Sequence, residues 1–332
     1  MKSSVFLLAL ATTMLPMAPS SAQSSEQQPN SASSESIQTA QVPTALQWMQ
    51  RLTASLKQLN FDTSFVVVKN NRAEPYRWLH GVAEGKEMEI ITLLNGPRKE
   101  FIRRDNVVSY FEMDNVPYSV VADSITGPIP NIFWDDISKL QQSYDFIGVG
   151  KSRILGRSAQ LIRLESKDKQ RFGYWLWLDT TTGLLLKSAI ISQTGELLEQ
   201  IQFTHLAITD KSNEILNQLI NAELPTPISH TGQQVDFSWQ VNWLPDGFVQ
   251  RHANRNVLSK VNEPVESLLF NDGLVDVSVY VSPSDEAPRK PSINQTGATV
   301  LLSQLRDGYE INVVGKIPPN TALAIADSVS FN

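Results

Sequence analysis

Short runs of apolar and β-branched residues recur between residues 146 and 202, and polar residues separate them. The runs occupy 150–155, 159–165, 172–178, 184–191 and 197–203, with Gly, Asp, Ser and Thr at the breaks. Runs of this length, closed by such residues, are typical of antiparallel strands joined by hairpins. The pattern therefore predicts an antiparallel meander across this part of the chain.

The two central strands of this meander are apolar on both faces. Trp175 and Trp177 lie on one face of the strand at 172–178, and Tyr174 and Leu176 lie on the other. An antiparallel sheet with one solvated face alternates apolar with polar residues instead. Either protein covers both faces here, or one face lines a cavity for an apolar ligand.

Similar runs upstream extend the predicted sheet. An apolar stripe repeating every three or four residues after Pro43 predicts a helix that lies on the sheet. Residues 132–142 are predicted to form a short helix or loop, and a helical run at 212–222 closes the unit. Strands are predicted at 61–69, 76–82, 86–94, 98–103, 107–112 and 118–121.

A second, smaller unit follows a Pro-rich break at 223–236. Its pattern predicts a strand at 248–253, a hairpin over 271–273, a polar loop at 282–292 and a final helix near Pro318. Asp307-Gly308 is a strong signal for a two-residue hairpin turn. The fold class expected is mainly β (α+β), with a large unclosed antiparallel β-barrel or curled sheet over a helix and a smaller C-terminal α+β domain.

The N-terminus predicts export. Lys2 precedes an apolar run at 5–15 and a small-residue stretch ending at Ala22, which together describe a cleaved secretory signal peptide. Residues 23–42 are polar and predict a flexible leader. The chain has 332 residues, no Cys and a formal charge of −6, which disfavours disulfides, thiol chemistry and nucleic acid as the main partner.

Motifs for catalysis and metal binding are weak. Residues 148–152 match only the end of a phosphate-binding loop and continue as strand rather than helix. Residues 166–169 have a Ser-x-x-Lys spacing but lack its companion motifs, so a solvated turn is the better interpretation. The four His are scattered. We therefore predict no catalytic residues, no metal site, no cofactor and no enzyme activity.

Several segments resemble the RseB/MucB family, the periplasmic regulators of the sigma-E envelope stress response. They include Asn95-Gly96-Pro97 and Trp243-Leu244-Pro245, and the resemblance covers nearly the whole chain after the leader. The segments are 95–100, 109–112, 144–150, 177–179, 196–200, 237–239, 243–248 and 272–274.

This resemblance implies a large domain at 43–222 similar to the lipoprotein carriers LolA and LolB, with a hydrophobic cavity that senses lipid. It implies a linker at 223–236 and a small domain at 237–332 that binds the periplasmic region of the anti-sigma factor RseA or MucA. Binding shields that protein from the site-1 protease DegS. Lipopolysaccharide or the acyl chains of mislocalised lipoproteins release it.

Face patterning supplies the candidate site residues, with ordinary core packing as the alternative for each. A lipid or lipoprotein carrier is the second functional hypothesis, and a hydrolase with an unfamiliar site is the third. Whether the protein forms a homodimer is left open. The candidates for the lipid cavity are Trp78, Trp175, Trp177 and Leu186, and those for partner binding are Trp243, Phe248 and Phe270.

Overall fold

An eleven-stranded antiparallel sheet dominates the structure, where the hydrophobic pattern predicts a large antiparallel sheet. The computed structural model describes residues 42–127, 129–228, 236–257 and 264–331. The predicted signal peptide and leader lie outside these residues, apart from Val42. The strands of the large sheet are β1 (Asn60–Lys69), β2 (Arg72–Ala83), β3 (Lys86–Leu93), β4 (Lys99–Arg104), β5 (Val107–Glu112), β6 (Tyr118–Val121), β7 (Tyr144–Ile154), β8 (Arg157–Ser166), β9 (Gly173–Asp179), β10 (Leu185–Ile191) and β11 (Leu197–Thr209).

The order of the strands leaves the large sheet open. It runs β6-β5-β4-β3-β2-β1-β11-β10-β9-β8-β7, so β6 and β7, which are consecutive in the chain, form opposite edges, and β1 pairs with β11 in the middle. A barrel would require β6 to pair with β7, which it does not. The prediction of an unclosed, mainly β architecture is confirmed.

Helix α1 (Ala45–Gln58) packs into the hydrophobic cluster of the large sheet. It begins with a capping box, in which Thr44 Oγ1 accepts from the Gln47 backbone N–H at 3.2 Å and the Gln47 side chain accepts from the Thr44 N–H. The apolar stripe predicted for this helix is buried, and it includes Met49, Leu52 and Leu56. The short helix α2 (Glu214–Leu219) packs on β2 and β3.

A bulge in β10 interrupts the regular alternation of its side chains between the two faces of the sheet. The pairing with β9 shifts between Leu185 and Lys187, so Leu185 faces the same side as Leu178 rather than the side of Ala189. Trp175 and Trp177 lie on the face opposite Tyr174 and the other buried residues of β9, as alternation predicts. This outer face is half-buried, whereas the inner face is fully covered.

A second antiparallel sheet forms the C-terminal part, in the order β13-β14-β15-β18-β17-β16. Helix α3 (Pro319–Asp327) packs on β17 and β18, and the short strand β12 (Trp239–Val241) pairs with β19 (Val329–Phe331). Asp307 and Gly308 have φ of +55° and +78°, which confirms the predicted hairpin turn. The six strands are β13 (Val249–Val257), β14 (Pro264–Asn271), β15 (Asp276–Pro283), β16 (Arg289–Thr296), β17 (Thr299–Arg306) and β18 (Tyr309–Gly315).

The prediction of a polar loop at 282–292 is partly wrong, because β16 begins at Arg289. Every side chain of β16 is exposed, so its sequence carries no apolar alternation, and backbone pairing with β17 alone defines the strand. The segment predicted as a short helix or loop at 132–142 forms two 3₁₀ helices, Asn131–Trp134 and Ile137–Gln142. No helix in the described part of the chain has the length and apolar character needed to cross a bilayer.

One hydrophobic cluster runs from the large sheet into the small one. It contains Leu52 of α1, Leu176 of β9, Val277 of β15 and Ile325 of α3. The chain from Pro43 onward correspondingly groups into one compact unit. The division into separate domains at 43–222 and 237–332 therefore stays a prediction, although the two sheets are distinct.

Candidate functional site

A cavity of about 570 Å³ lies between the inner face of the large sheet and the turns of the small sheet. This volume falls within the range of roughly 300–1,000 Å³ that is typical of ligand sites. Residues of both sheets line it, together with the loop that precedes the first 3₁₀ helix. The large sheet and this loop contribute Val67, Tyr76, Phe101, Ile129, Tyr174, Leu176, Ser188, Ile190 and Ile201, and the small sheet contributes Gly273, Leu274, Val275, Ser278, Thr299 and Val314.

The apolar wall of the cavity follows from strand alternation. Tyr174 and Leu176 of β9 face the same side as Ser188 and Ile190 of β10, with which they pair in register. Ser188 is a small polar residue among large apolar ones, so it leaves space where a branched side chain would fill the sheet surface. The wall can therefore accept an apolar group.

Charged residues also contribute to the cavity lining. Lys99 pairs with Glu112 at 3.2 Å, and Lys316 pairs with Glu199 at 2.6 Å. Lys69 is half-buried and makes no ion pair with any residue that the structure describes. The lining also contains the carboxylates of Glu74, Glu199 and Asp276. An apolar wall with a charged border suits an amphiphile, and Lys69 is the ammonium group that can meet an anionic headgroup without first giving up a carboxylate of the described residues.

The pKa values of two tyrosine hydroxyls in the cavity are raised. Burial, followed by the charge of Glu74 and a hydrogen bond to it at 3.1 Å, raises the pKa of Tyr76 to about 12. Burial, followed by the nearby charge of Asp272, raises the pKa of Tyr174. Both phenols are neutral at neutral pH. The single O–H of Tyr76 donates to Glu74, whereas the O–H of Tyr174 can donate to a ligand.

A buried guanidinium joins the two sheets beside this cavity. Arg171, in the loop before β9, donates from Nε to Asp272 Oδ2 at 2.6 Å and from Nη1 to Asp168 Oδ2 at 2.5 Å. It also donates to the carbonyl of Asp246, and its guanidinium lies over the ring of Phe248 at 5.0 Å. The side chains of Arg171 and Asp272 are fully buried, so this contact is a specific connection between the sheets.

A second polar contact joins the sheets through β11. Glu199 Oε2 accepts from Lys316 Nζ at 2.6 Å, and its Oε1 accepts from the Ala298 backbone N–H at 3.2 Å. The neighbouring Gly297 N–H donates to Asn70 Oδ1 at 2.8 Å. Since Glu199 and Lys316 both line the cavity, a ligand there lies directly against this contact.

The four predicted lipid-cavity residues lie outside the cavity lining. Trp78 is 1% exposed, packs edge-on against Phe61, and donates from Nε1 to Glu89 at 2.9 Å. Trp175 and Trp177 lie on the outer face, and Leu186 is fully buried at the bulge of β10. Contact between these residues and lipid stays a prediction.

The three predicted partner-binding residues differ in how far they are exposed to solvent. Trp243 is 37% exposed, whereas Phe248 and Phe270 are buried within the chain. Phe248 packs under Arg171, and Phe270 belongs to the hydrophobic cluster. Their role in binding a partner stays a prediction, and Trp243 is the one that a partner can reach directly.

The sequence did not predict which residues line the cavity, nor that Arg171 is buried. Alternation separated the two faces of β9 correctly, but it did not show which face the small sheet would cover. Arg171 follows the polar turn Ser166–Lys169, and such turns are usually solvated. Nothing in the sequence marks it as buried.

The two weak catalytic motifs lie in a strand and in a turn. Residues 148–152 lie within β7, and residues 166–169 form a turn in which Asp168 supports Arg171. Among the residues that the structure describes, no group of three or more His, Cys, Asp or Glu is placed to hold a metal ion.

Two family models match the chain. The model of the MucB/RseB N-terminal domain matches residues 44–228, and the model of the MucB/RseB C-terminal domain matches residues 233–330. The sigma-E factor regulatory protein RseB of Salmonella typhimurium is 33% identical over 285 residues, covering 85% of this chain and 89% of that protein. The sigma factor AlgU regulatory protein MucB of Pseudomonas aeruginosa is 30% identical over 302 residues, covering 88% and 93%.

Solved structures agree with these matches. A crystal structure of MucB in complex with MucA(peri) has a TM-score of 0.68 and 30% identity, covering 87% of this chain and 99% of that chain. The Pseudomonas aeruginosa MucA/MucB complex has a TM-score of 0.70 and 31% identity, with the same coverage. Sequence, domain order and fold all agree, and the chain therefore belongs to the MucB/RseB family.

Proposed function

We propose that this protein is a periplasmic negative regulator of a sigma-E-type envelope stress response. It binds the periplasmic region of a membrane-anchored anti-sigma factor of the RseA or MucA type and shields it from site-1 proteolysis. Its relatives are named as regulators of sigma factors, and the MucB structures similar to it contain MucA. Lipopolysaccharide or the acyl chains of a mislocalised lipoprotein release the partner.

The observation that carries this proposal is the position of the cavity. Its walls come from both sheets, so a bound ligand contacts both at once. A ligand shifts an equilibrium between two arrangements only if it binds them with different affinity. A cavity at the junction of two sheets meets this condition, because a movement of one sheet against the other changes its walls.

The chemistry of the cavity favours an amphiphile. Each methylene group transferred from water to the apolar wall contributes about 0.8 kcal/mol. The ammonium group of Lys69 can attract a phosphate or carboxylate. Lipopolysaccharide carries both acyl chains and phosphates, and a lipoprotein carries acyl chains.

A regulatory role requires no catalytic groups. The curated relatives are named as regulatory proteins. The proposed domains are a lipid-sensing domain at 43–222 and a partner-binding domain at 237–332, joined by the segment at 223–236. Trp243 is the proposed aromatic anchor of the small domain.

A carrier of lipids or lipoproteins is the alternative, and the cavity itself favours it. A carrier must release its cargo to an acceptor, whereas a sensor must change its affinity for a partner. Transfer of a fluorescent lipid from the loaded protein to acceptor vesicles, without any effect of lipid on binding of the anti-sigma factor, would support the carrier.

The direct experiment is capture of the protein without its signal peptide on the immobilised periplasmic domain of the cognate anti-sigma factor, with and without lipopolysaccharide. We expect capture without lipopolysaccharide and loss of most of it at saturating lipopolysaccharide. Failure of capture under both conditions would overturn the proposal.

A further inference from the structure

The long edge strand β7 is open at its C-terminal half, from Ile147 to Ile154. Residues 147–153 are all exposed, and β7 pairs only with β8. The open portion is about 26 Å long at 3.3 Å per residue. An edge of this length presents unpaired N–H and C=O groups to any extended chain that comes beside it.

Two other edge strands, β6 and β16, are covered or blunted. At the opposite edge of the large sheet, the chain itself returns to β6, where Ser119 bridges to Pro227 in parallel and accepts from the Ile228 N–H at 2.8 Å. In the small sheet, the edge strand β16 contains Pro291 and an irregular register beside it. Proline removes a backbone donor, so β16 is a poor template for a further strand.

The backbone geometry of β7 identifies which groups face outward. The two-residue turn Leu155-Gly156, with φ of +52° and +71°, closes the hairpin on the pair Ile154–Arg157. Hydrogen-bonded and non-hydrogen-bonded pairs alternate from such a turn. Ile154 and Ser152 therefore bond to β8, whereas the N–H and C=O groups of Lys151 and Arg153 point away from the sheet.

The same two residues carry the charge of the open edge. Lys151 and Arg153 are exposed, and neither makes an ion pair with a residue that the structure describes. They lie two positions apart, so their side chains share one face of the strand. Outward peptide groups and free cations thus occur together at one place.

We infer that the open edge of β7 binds an extended, acidic segment of the anti-sigma factor as an added β-strand. This inference rests on the proposed function, which supplies the partner. Main-chain hydrogen bonds give affinity in this mode, and side chains beside the edge give selectivity. Carboxylates two residues apart on the added strand meet Lys151 and Arg153.

Strand addition also explains how binding would prevent proteolysis. Proteases bind the cleavage site of a substrate in an extended conformation through its backbone groups. A segment held on β7 has those groups already paired, so it is withheld from the protease. The bulge between Gly148 and Gly150 limits pairing at the other end of the open edge, which guards β7 against unselective association.

The test measures binding of the full mature chain to the purified periplasmic domain of the anti-sigma factor by biolayer interferometry. Lys151→Glu combined with Arg153→Glu is expected to weaken binding about tenfold, because like charges then face each other. The control is Arg289→Glu with Lys290→Glu on edge strand β16, which should bind like the parent. Equal affinity of the β7 variant and the parent would overturn the inference while leaving the proposed function intact.

Residue-resolved hydrogen exchange separates strand addition from side-chain contact. The amides of Lys151 and Arg153 should exchange fast in the free protein and slowly in the complex. The amides of Ser152 and Ile154, bonded to β8, should be protected in both. Unchanged exchange at Lys151 and Arg153 in a complex that does form would exclude an added strand, and absence of any complex with the parent would refute the proposed function itself.

Discussion

The Nε atom of Arg171 lies 2.6 Å from Asp272 Oδ2, and both side chains are fully inaccessible to solvent. The arginine lies in the loop between β8 and β9 of the large sheet, and the aspartate lies in the β14–β15 turn of the small sheet. Asp272 Oδ1 accepts from the backbone N–H groups of Leu274 and Val275 at 2.9 and 2.8 Å. The ion pair therefore fixes the shape of the turn as well as its position against the large sheet.

Arg171→Met should strongly destabilise the protein. It removes the cation that compensates the buried carboxylate of Asp272, and breaking a buried pair in this way costs about 3–5 kcal/mol. Urea unfolding, followed by tryptophan fluorescence, measures the loss. The double variant Arg171→Met with Asp272→Asn should recover much of it, because no buried charge is then left unpaired and the asparagine Oδ1 can still accept from the N–H groups of Leu274 and Val275.

The exposed pair Lys139–Asp135, at 2.9 Å, provides the control. Lys139→Ala should change the free energy of unfolding by no more than about 0.5 kcal/mol. A loss for Arg171→Met as small as that for Lys139→Ala would show that the buried pair does not hold the sheets together.

Gly297→Ala should cost more than Gly308→Ala. Both glycines have positive φ, +61° and +78°, so both substitutions carry the left-handed penalty of about 1–2 kcal/mol. A Cβ at Gly297 would lie 2.9 Å from Glu199 Cγ, whereas one at Gly308 meets nothing within 4 Å. The difference in unfolding free energy between the variants isolates the contact with β11, and equal losses would contradict that contact.

Acid should weaken the network around Glu87. Burial alone would raise the pKa of its carboxyl, but hydrogen bonds from His80 and Arg103 outweigh burial and lower the pKa. A lowered folded pKa gives stability that is present at neutral pH and lost as the pH falls below the ordinary glutamate value of about 4.3.

Glu87→Gln should therefore flatten the decline of the urea midpoint between neutral pH and pH 3. The exposed Glu223→Gln serves as the control and should decline like the parent. A parallel decline in all three proteins would remove Glu87 as a source of acid sensitivity.

Filling the cavity should block uptake of an amphiphile. Ser188→Phe places a ring among Tyr174, Leu176 and Ile190, where the parent has a small side chain. Binding of the fluorescent probe N-phenyl-1-naphthylamine should fall at least about fivefold, since less apolar surface remains to be buried. Gln202→Phe, on the opposite face of the adjacent strand β11, should bind the probe like the parent. Equal binding by Ser188→Phe and the parent would place the probe elsewhere.

The sequence predicts the hairpins of this fold well, because local turn chemistry determines them. Asp307-Gly308 requires positive φ at both positions, and the strands on either side follow from it. The cavity could not be predicted in the same way. Whether Trp175 or Tyr174 faces a cavity depends on which side of the large sheet the small sheet covers, and that depends on contacts distant in sequence, such as Arg171 with Asp272.

Strand β16 and the bulge at Leu186 illustrate two further limits of predicting this structure from its sequence. All side chains of β16 are exposed, so backbone pairing defines it without an apolar pattern. The bulge moves Leu185 to the face opposite the one that alternation assigns. In both cases the partner strand, not the local sequence, determines the outcome.

Calorimetric titration of the mature protein with the periplasmic domain of the anti-sigma factor, at increasing lipopolysaccharide, tests the central claim most directly. We expect the affinity for the anti-sigma factor to fall at least about tenfold at saturation, and the affinity for lipopolysaccharide to fall by the same factor when the anti-sigma factor is bound, as linkage requires. An affinity for the anti-sigma factor that is independent of lipopolysaccharide would contradict the claim that the cavity controls partner binding.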